Sequence, residues 1–355
     1  MQRRTELDFL RAAAMLGVVM IHASSGFVLR DSRISLGGVT PALFCNQAVR
    51  FAVPLFFLLS GLSLGLRDGP VELPGFWLRR LRKTGLPYVL WTLFYFLLDR
   101  GFRLGWVTDP AALGELGRDL LLGGAASHLW FIPALLQLYL LYPLLRYLMK
   151  RWPRTTLGAG LALTLFSTLI IYVPLPLTGW WRPHLWRMFP VWVFYFLLGM
   201  ALTKPRLERL ADFCGRFAPQ LLVLGLAAAC VYAWDAARSG NLDSIRPQLL
   251  LYTPVCLAFL LAVWTYLKQL PGMEKASGLL AETSMTVYFI HLFFLRLLRR
   301  VPLLTANAIG MLGLFAATLV LSLGAALVLS RLFRLIRRPG GTSPGGAGGA
   351  GGRRS

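Results

Sequence analysis

Long apolar runs return at short intervals along this 355-residue chain, and they constrain its fold more than any other feature. The runs recur from Leu7 to Leu329, and no polar stretch between them is long enough to fold independently. Hydrophobic residues make up 56% of the chain and charged residues only 15%, which is too apolar for a soluble protein of this length. We therefore expect an all-α integral membrane protein.

A helix of about 20 apolar residues spans the hydrocarbon core of a bilayer. Placing such helices on the sequence predicts about ten transmembrane helices, which make residues 1–335 a single membrane domain. Residues 336–355 are rich in Gly and Arg and are predicted to be a disordered cytoplasmic tail. The predicted spans are residues 7–29, 41–66, 84–99, 128–149, 157–175, 188–203, 218–234, 248–267, 279–297 and 305–330.

The basic residues indicate the orientation of the chain, whose net charge is +22. With the N-terminus inside, 22 of the 37 Lys and Arg residues lie in inside segments and 12 in outside segments. This bias predicts cytoplasmic N- and C-termini and a multi-pass protein of the cell (inner) membrane. A cleaved N-terminal signal peptide is the alternative, although cleavage would leave an odd number of spans. The basic residues form no continuous face, so the charge does not indicate nucleic-acid binding.

The cysteines do not indicate a metal site. They are scattered, with no CxxC spacing and no His or acidic neighbours at ligand spacing. We therefore expect neither a bound metal nor a disulfide framework. The four positions are Cys45, Cys214, Cys230 and Cys256.

The first predicted helix carries two ionisable residues, Arg11 and His22. Their spacing of 11 residues places them on one helical face, about 16 Å apart along the axis. Asp8 lies one turn before Arg11 and is placed to pair with it, which lowers the cost of burying the guanidinium. Ionisable groups inside a span usually serve function and face a polar cavity. The structural alternatives are a neutral His22 bonded to a neighbouring helix and an Arg11 that reaches the inner interface.

The second predicted helix carries Arg50 at a depth similar to that of His22, roughly 13 Å against roughly 10 Å from the outer ends of their helices. A guanidinium beside a base can bind an anion or stabilise the developing charge of an oxyanion. Pairing with a carboxylate elsewhere in the chain is the alternative.

The inside loop that follows, FWLRRLRKTGLPY, carries four cations within five residues: Arg79, Arg80, Arg82 and Lys83. Arg79 and Arg82 stand at i and i+3, so one helical face can present both to a phosphate. A topology signal explains the same cluster without a ligand.

Four residues nearer the predicted outer face are candidates for lining a substrate cavity. His128 and Trp130 are expected at the outer surface, where the fourth span begins, and Tyr288 and His291 in the outer half of the ninth span. Interfacial or core-bonded histidines are the structural alternative. An aromatic belt explains the nearby tryptophans better than sugar stacking does. These are Trp180, Trp181, Trp186 and Trp192.

Six segments, taken in order, resemble the membrane acyltransferase-3 family over about residues 3–335. The first three are LDFLR with a histidine beyond the arginine, then AVPLFFLLSG, then an inside RRLRK that leads to LPY. The later three are HLWFIPALLQLYLLYPLL, RMFPVWVFYFLLG and SMTVYFIH. The agreement of all six in order makes the resemblance specific.

The resemblance implies transfer of an acyl group, usually acetyl from cytoplasmic acetyl-CoA, to a hydroxyl of a carbohydrate or glycoconjugate. It places the Arg-x10-His motif of the family on Arg11 and His22, with His22 as the catalytic base. Arg50 would then stabilise the oxyanion. The acyl group can pass directly to the acceptor or through an acyl-His22 intermediate.

The resemblance also places the RxxR element of the family on Arg79 and Arg82, so that with Arg80 and Lys83 they suit the phosphates of CoA. Some relatives carry an appended esterase-like domain, and a Gly-rich tail stands in its place here. Direct transfer, or handover to a separate acyl-accepting partner protein, is therefore expected. The competing interpretation is a transporter or flippase for an anionic or membrane-lipid-linked substrate, with no acyl-transfer chemistry.

Overall fold

The computed structural model describes residues 4–28, 37–67, 69, 72–103, 105–173 and 182–336, and over these it is helical with no strand. Most of the predicted disordered tail, residues 337–355, lies outside the described residues, as do Trp180 and Trp181. The helices are α1 Thr5–Ser24, α2 Pro41–Ala48, α3 Ala52–Gly65, α4 Leu73–Arg80, α5 Leu86–Asp99, α6 Pro110–Leu122, α7 Phe131–Arg151, α8 Pro153–Tyr172, α9 Val193–Ala201, α10 Lys204–Arg216, α11 Ala218–Ser239, α12 Leu249–Leu267, α13 Met273–Leu298 and α14 Ala308–Ile336.

Eight helical stretches in the described part of the chain are long and apolar enough to span a membrane: α1, α2 with α3, α7, α8, α11, α12, α13 and α14. They support a multi-pass membrane protein, but the predicted count of ten is not confirmed. The predicted span 84–99 is occupied by α5, which has only 14 residues and follows a π-helical segment, Leu81–Gly85. The predicted span 188–203 contains α9, which has only 9 residues and follows a 3-10 turn, Phe189–Val191.

The predicted single helix over residues 41–66 is two helices, with a break at Val49–Phe51. Pro54 explains the break, because it has no N–H and its ring would collide with the carbonyl group of Arg50, four residues earlier. Arg50 therefore lies at a helix break inside an apolar stretch. Irregular backbone at such depth is tolerated only where it is buried in protein or lines a cavity.

Helices α3 and α9 approach each other backbone to backbone. A Cβ added at Gly61 would lie 2.8 Å from the carbonyl carbon of Phe196, and one added at Gly199 would lie 2.7 Å from the backbone nitrogen of Leu62. Glycine is needed at both positions because any side chain would push the helices apart. This contact fixes α3, which follows directly on Arg50.

Helix α6 returns along α5. The hydroxyl of Tyr88, near the start of α5, donates to the carbonyl oxygens of Asp119 (3.0 Å) and Leu120 (2.9 Å) near the end of α6. Gly123 ends α6 with a left-handed φ of 69°, and a Cβ there would collide with the backbone of Trp130.

This tight turn carries the chain into the interior of the bundle before α7 begins. His128 is consequently only 3% exposed, and Trp130 only 8%. Both side chains are therefore packed inside the bundle, and their expected position at the outer face of the membrane stays a prediction.

Three of the segments assigned to the inside from the sequence, namely the N-terminus, α10 and the start of α13, share one face of the bundle. Arg4 pairs with Glu208 at 3.1 Å, and the hydroxyl of Thr5 donates to Glu274 at 3.4 Å. At the other end of α1, a guanidinium nitrogen of Arg299 donates to the hydroxyl of Ser25 at 3.1 Å. These contacts agree with the predicted grouping of the loops, and the cytoplasmic location of the termini stays a prediction.

Candidate functional site

Three of the four histidines of the chain meet inside the bundle. His22 comes from α1, His128 from the turn before α7, and His291 from α13. The ring centroids of His128 and His291 are 5.0 Å apart, those of His22 and His291 5.3 Å, and those of His22 and His128 6.2 Å. Segments more than a hundred residues apart thus bring together three groups that can each accept a proton.

His291 is completely buried and its ring orientation is fixed by its own helix. Its Nδ1 lies 3.1 Å from the carbonyl oxygen of Val287 and 2.7 Å from that of Tyr288. Carbonyl oxygens only accept hydrogen bonds, so in the neutral ring Nδ1 carries the proton and Nε2 carries the lone pair. Nε2 is buried and has no hydrogen-bond partner among the described residues.

Two tyrosines hold the segments around the histidines in place. The hydroxyl of Tyr288 donates to the carbonyl oxygen of His128 at 2.5 Å, and the hydroxyl of Tyr95 donates to that of Phe289 at 2.8 Å. The sequence suggests that Tyr288 lines a substrate cavity, whereas its hydroxyl instead ties α13 to the turn before α7. The ring nitrogens of His128 find no partner within the described ranges.

His22 lies where this cluster opens into a cavity of about 410 Å³. Arg50 lines the same cavity, which agrees with the similar predicted depths of the two residues. Of the four residues suggested for a substrate cavity, Trp130 lines this one, while His128, Tyr288 and His291 lie behind His22. The other lining residues are Val18, Ile21, Val53, Ser127, Ile171, Trp186, Asp243, Ser244 and Ile245.

Arg50 is held by neutral oxygen atoms. Its Nε and Nη2 donate to Oδ1 of Asn46 at 3.1 and 2.7 Å, and its Nη1 donates to the hydroxyl of Ser244 at 2.6 Å. No carboxylate in the described part of the chain forms an ion pair with it, so the alternative interpretation of Arg50 as half of an ion pair is not supported. Its charge at the cavity wall is fixed in position without being neutralised by an ion pair.

Asn46 links this arginine to the end of α1. Its amide nitrogen donates to the carbonyl oxygen of Ile21 at 3.0 Å and to the hydroxyl of Ser24 at 2.9 Å, on either side of His22. Asn46 is fully buried. A single amide therefore sets the relative position of Arg50 and His22.

A second buried arginine fixes the loop that closes the cavity. Arg246 is 2% exposed and pairs with Asp235 at 2.9 Å, while its Nη2 donates to Gln47 at 3.3 Å. The loop between α11 and α12 carries Asp243, Ser244 and Arg246. This ion pair therefore helps to hold both residues at the cavity wall.

Sequence reasoning missed the residues that the loops contribute. Asp243, Ser244 and Ser127 lie in loops with no motif around them, so no spacing marks them in the sequence. Trp186 is grouped from the sequence with an aromatic belt, yet it lines the cavity with its ring 4.9 Å from that of Trp130.

Arg11 lies toward the other end of α1 and is neutralised there. It pairs with Asp8 at 3.4 Å, as predicted from their spacing, and its Nη2 donates to the hydroxyl of Ser63 on α3 at 2.8 Å. These bonds tie α1 to α3. Arg11 is not part of the cavity that His22 and Arg50 share.

The four cations of the inside loop do not behave alike. Arg79, Arg82 and Lys83 are exposed, whereas Arg80 is half-buried, with its guanidinium 4.7 Å from the ring centroid of Tyr139. Burial lowers the pKa of Arg80 from its usual value. Arg80 thus packs against the bundle, and the other three project from it.

No group of His, Cys, Asp and Glu side chains in the described ranges has an arrangement that could hold a metal ion.

Comparison with protein families gives one match, to a family described as an acyltransferase domain, over residues 4–331. Neither the curated proteins nor the solved structures give a match. The family match covers nearly the whole chain and contains all three histidines, Arg50 and the inside cations. This protein therefore belongs to the acyltransferase 3 family.

Proposed function

We propose that this protein transfers an acyl group, most simply acetyl from acetyl-CoA, to a hydroxyl of a carbohydrate or glycoconjugate, with His22 as the base. Membership of an acyltransferase family supports the reaction class. The observation that carries the proposal is the position of His22, where a buried group of imidazoles meets a cavity that also contains a fixed guanidinium.

The reaction needs a base and a site for negative charge. A ring nitrogen of His22 takes the proton of the acceptor hydroxyl, and the oxygen attacks the thioester carbonyl carbon. The negative charge of the tetrahedral intermediate then develops on the former carbonyl oxygen, where Arg50 stabilises it. When the intermediate collapses, the carbon–sulfur bond breaks and the CoA thiolate takes this proton from His22, which restores the neutral ring.

The cavity walls suit a sugar. Trp130 and Trp186 offer apolar ring faces, on which the C–H face of a pyranose packs. Asp243, Ser244 and Ser127 offer oxygen atoms to sugar hydroxyls on the same cavity surface. A few placed polar groups among aromatic rings are what orients a small polar ligand.

The donor would approach from the opposite face. Arg79, Arg82 and Lys83 are exposed there and can bind phosphates of CoA through charge-assisted hydrogen bonds. The thioester must then reach His22, about 16 Å along α1 from Arg11. The long, thin pantetheine arm suits such a path.

The test uses purified protein in lipid vesicles with acetyl-CoA and an alkyl glycoside as acceptor. The readouts are release of the CoA thiol and the mass of the acetylated glycoside. His22→Gln should lower turnover by about 100-fold or more, since general-base catalysis contributes 10²–10⁴-fold. His184→Gln, a change of the one histidine outside the cluster, is the matched control and should turn over normally.

Normal turnover by a correctly folded His22→Gln protein would remove His22 from the mechanism. Movement of the glycoside across the vesicle membrane with no CoA release would instead support a transporter.

A further inference from the structure

His291 is the histidine with a neighbour on each side. Its ring centroid lies 5.0 Å from that of His128 and 5.3 Å from that of His22, closer to each than those two are to one another. It lines no part of the cavity and is 0% exposed, so it acts on a substrate only through another residue.

The geometry leaves only the Nε2 atom of His291 available for a further hydrogen bond. Its Nδ1–H is committed to the carbonyl oxygens of Val287 and Tyr288, so Nε2 can only accept a hydrogen bond. Two imidazoles joined edge to edge by an N–H···N bond of about 2.9 Å have centroids about 5 Å apart. The His22–His291 spacing of 5.3 Å meets this requirement, so rotation of the His22 ring suffices to form the bond.

His22 has no anionic partner that could accept a hydrogen bond from its N–H in place of His291. None of the ion pairs formed by the described residues includes His22. A guanidinium nitrogen of Arg299 donates to its backbone carbonyl oxygen at 2.8 Å, and Arg50 and Asp243 share its cavity, where Asp243 forms no ion pair with His22. A base in such surroundings needs an acceptor for its second N–H when it takes up a proton.

We propose that His291 is the positioning residue of His22, a role that rests on the proposed acyltransferase function. As the reaction begins, His22 donates its single N–H to Nε2 of His291, which leaves its other nitrogen as a base directed at the cavity. When that nitrogen takes the proton of the acceptor hydroxyl, the bond to His291 becomes charge-assisted and stronger. The proton then leaves His22 for the CoA thiolate, and His291 gains and loses none.

His128 can donate to the same lone pair, since its ring is equally near His291. A bond from the protonated His22 is about twice as strong as one from a neutral ring, so His22 prevails during the reaction. His128 is then displaced only while the reaction proceeds.

The test compares two replacements of His291 in the vesicle assay. His291→Gln keeps an acceptor oxygen near the position of Nε2, whereas His291→Phe keeps the ring volume and removes the acceptor. We expect His291→Phe to lower kcat by about 10–100-fold, the rate equivalent of losing a hydrogen bond to a charged group, with unchanged KM for acetyl-CoA and for the glycoside. His291→Gln should keep kcat within about threefold of the parent protein.

Thermal unfolding of each purified variant separates catalysis from packing, because a merely structural role would lower Tm and the active fraction without changing kcat per folded molecule. Equal losses of kcat in the Gln and Phe variants, or normal kcat in a folded Phe variant, would overturn the assignment. If His291→Phe does not fold, His291→Met is the second apolar variant and is judged by the same outcomes. Absence of turnover in the parent protein would instead refute the proposed function.

Discussion

Substituting Gly61 by alanine tests the packing that positions α3. The new Cβ would lie 2.8 Å from the carbonyl carbon of Phe196 and even closer to its carbonyl oxygen, whereas carbon atoms in contact prefer about 3.5–4.0 Å. The atoms in the way belong to the backbone of α9 and cannot rotate aside. The helices must separate by about 1 Å, a gap that forfeits a quarter to a half of each contact energy across the interface.

We expect Gly61→Ala to destabilise the protein by at least about 1–3 kcal/mol, the usual cost of an overpacked interior. Gly158→Ala is the matched control, because it makes the same change on the exposed face of α8, where a Cβ would meet no atom within 4 Å. There alanine should leave stability unchanged or raise it by up to about 1 kcal/mol, since alanine is the better helix former.

The assay is reversible unfolding in detergent micelles, followed by tryptophan fluorescence, for both single variants and for Gly61→Ala combined with Gly199→Ala. The two glycines share one crossing, so the second alanine should cost much less than the first once the helices have separated. Equal stability of Gly61→Ala and Gly158→Ala would refute the reasoning. Full additivity of Gly61→Ala and Gly199→Ala would show that the two sites do not share a contact.

Two further predictions concern the turn after α6 and the inside cations. Gly123→Ala should reduce folded yield and Tm, because alanine is strained at φ 69° and its Cβ would meet the backbone of Trp130; Gly114→Ala, in open space on α6, should not. Replacing Arg79 and Arg82 together by alanine should raise the KM for acetyl-CoA while leaving the KM for the glycoside unchanged. The control is Arg154→Ala, which removes an exposed cation near the start of α8 and should change neither KM. Unchanged donor kinetics would make the Arg79–Arg82 pair a topology signal.

The sequence predicted those parts of the fold that depend on one helix at a time. The lengths of the apolar runs placed α1, α7 and α12 close to their observed positions, and the 3.6-residue period predicted the pairing of Asp8 with Arg11. Short elements were harder to predict, because a 14-residue or 9-residue helix has the same composition as part of a longer span. The return of α6 along α5 depends on the turn at Gly123, which composition alone does not indicate.

The candidate site was predictable one residue at a time, but not as a group. His22 and His291 were each marked by the rarity of ionisable residues in apolar helices. The contact between His22 and His291 was not indicated by the sequence, because helices α1 and α13 are far apart in the chain and no periodicity relates them. The burial of His128 was not indicated either, because it depends on the return of α6 along α5. Asp243 lies in a loop, whose position depends on the buried pair of Arg246 and Asp235.

Arg11 and Arg50, which lie near opposite ends of α1, differ in what surrounds their charge. Arg11 has a carboxylate partner, Asp8, so its field is largely cancelled and its bond to Ser63 serves to join helices. Arg50 is oriented by an amide and a hydroxyl, which fix its geometry but carry no opposing charge. A carboxylate partner at Arg50 would have lowered the cost of burial and also weakened the attraction for an oxyanion. In the proposed mechanism, neutral anchoring therefore leaves the charge of Arg50 available to an oxyanion, whereas the charge of Arg11 is paired.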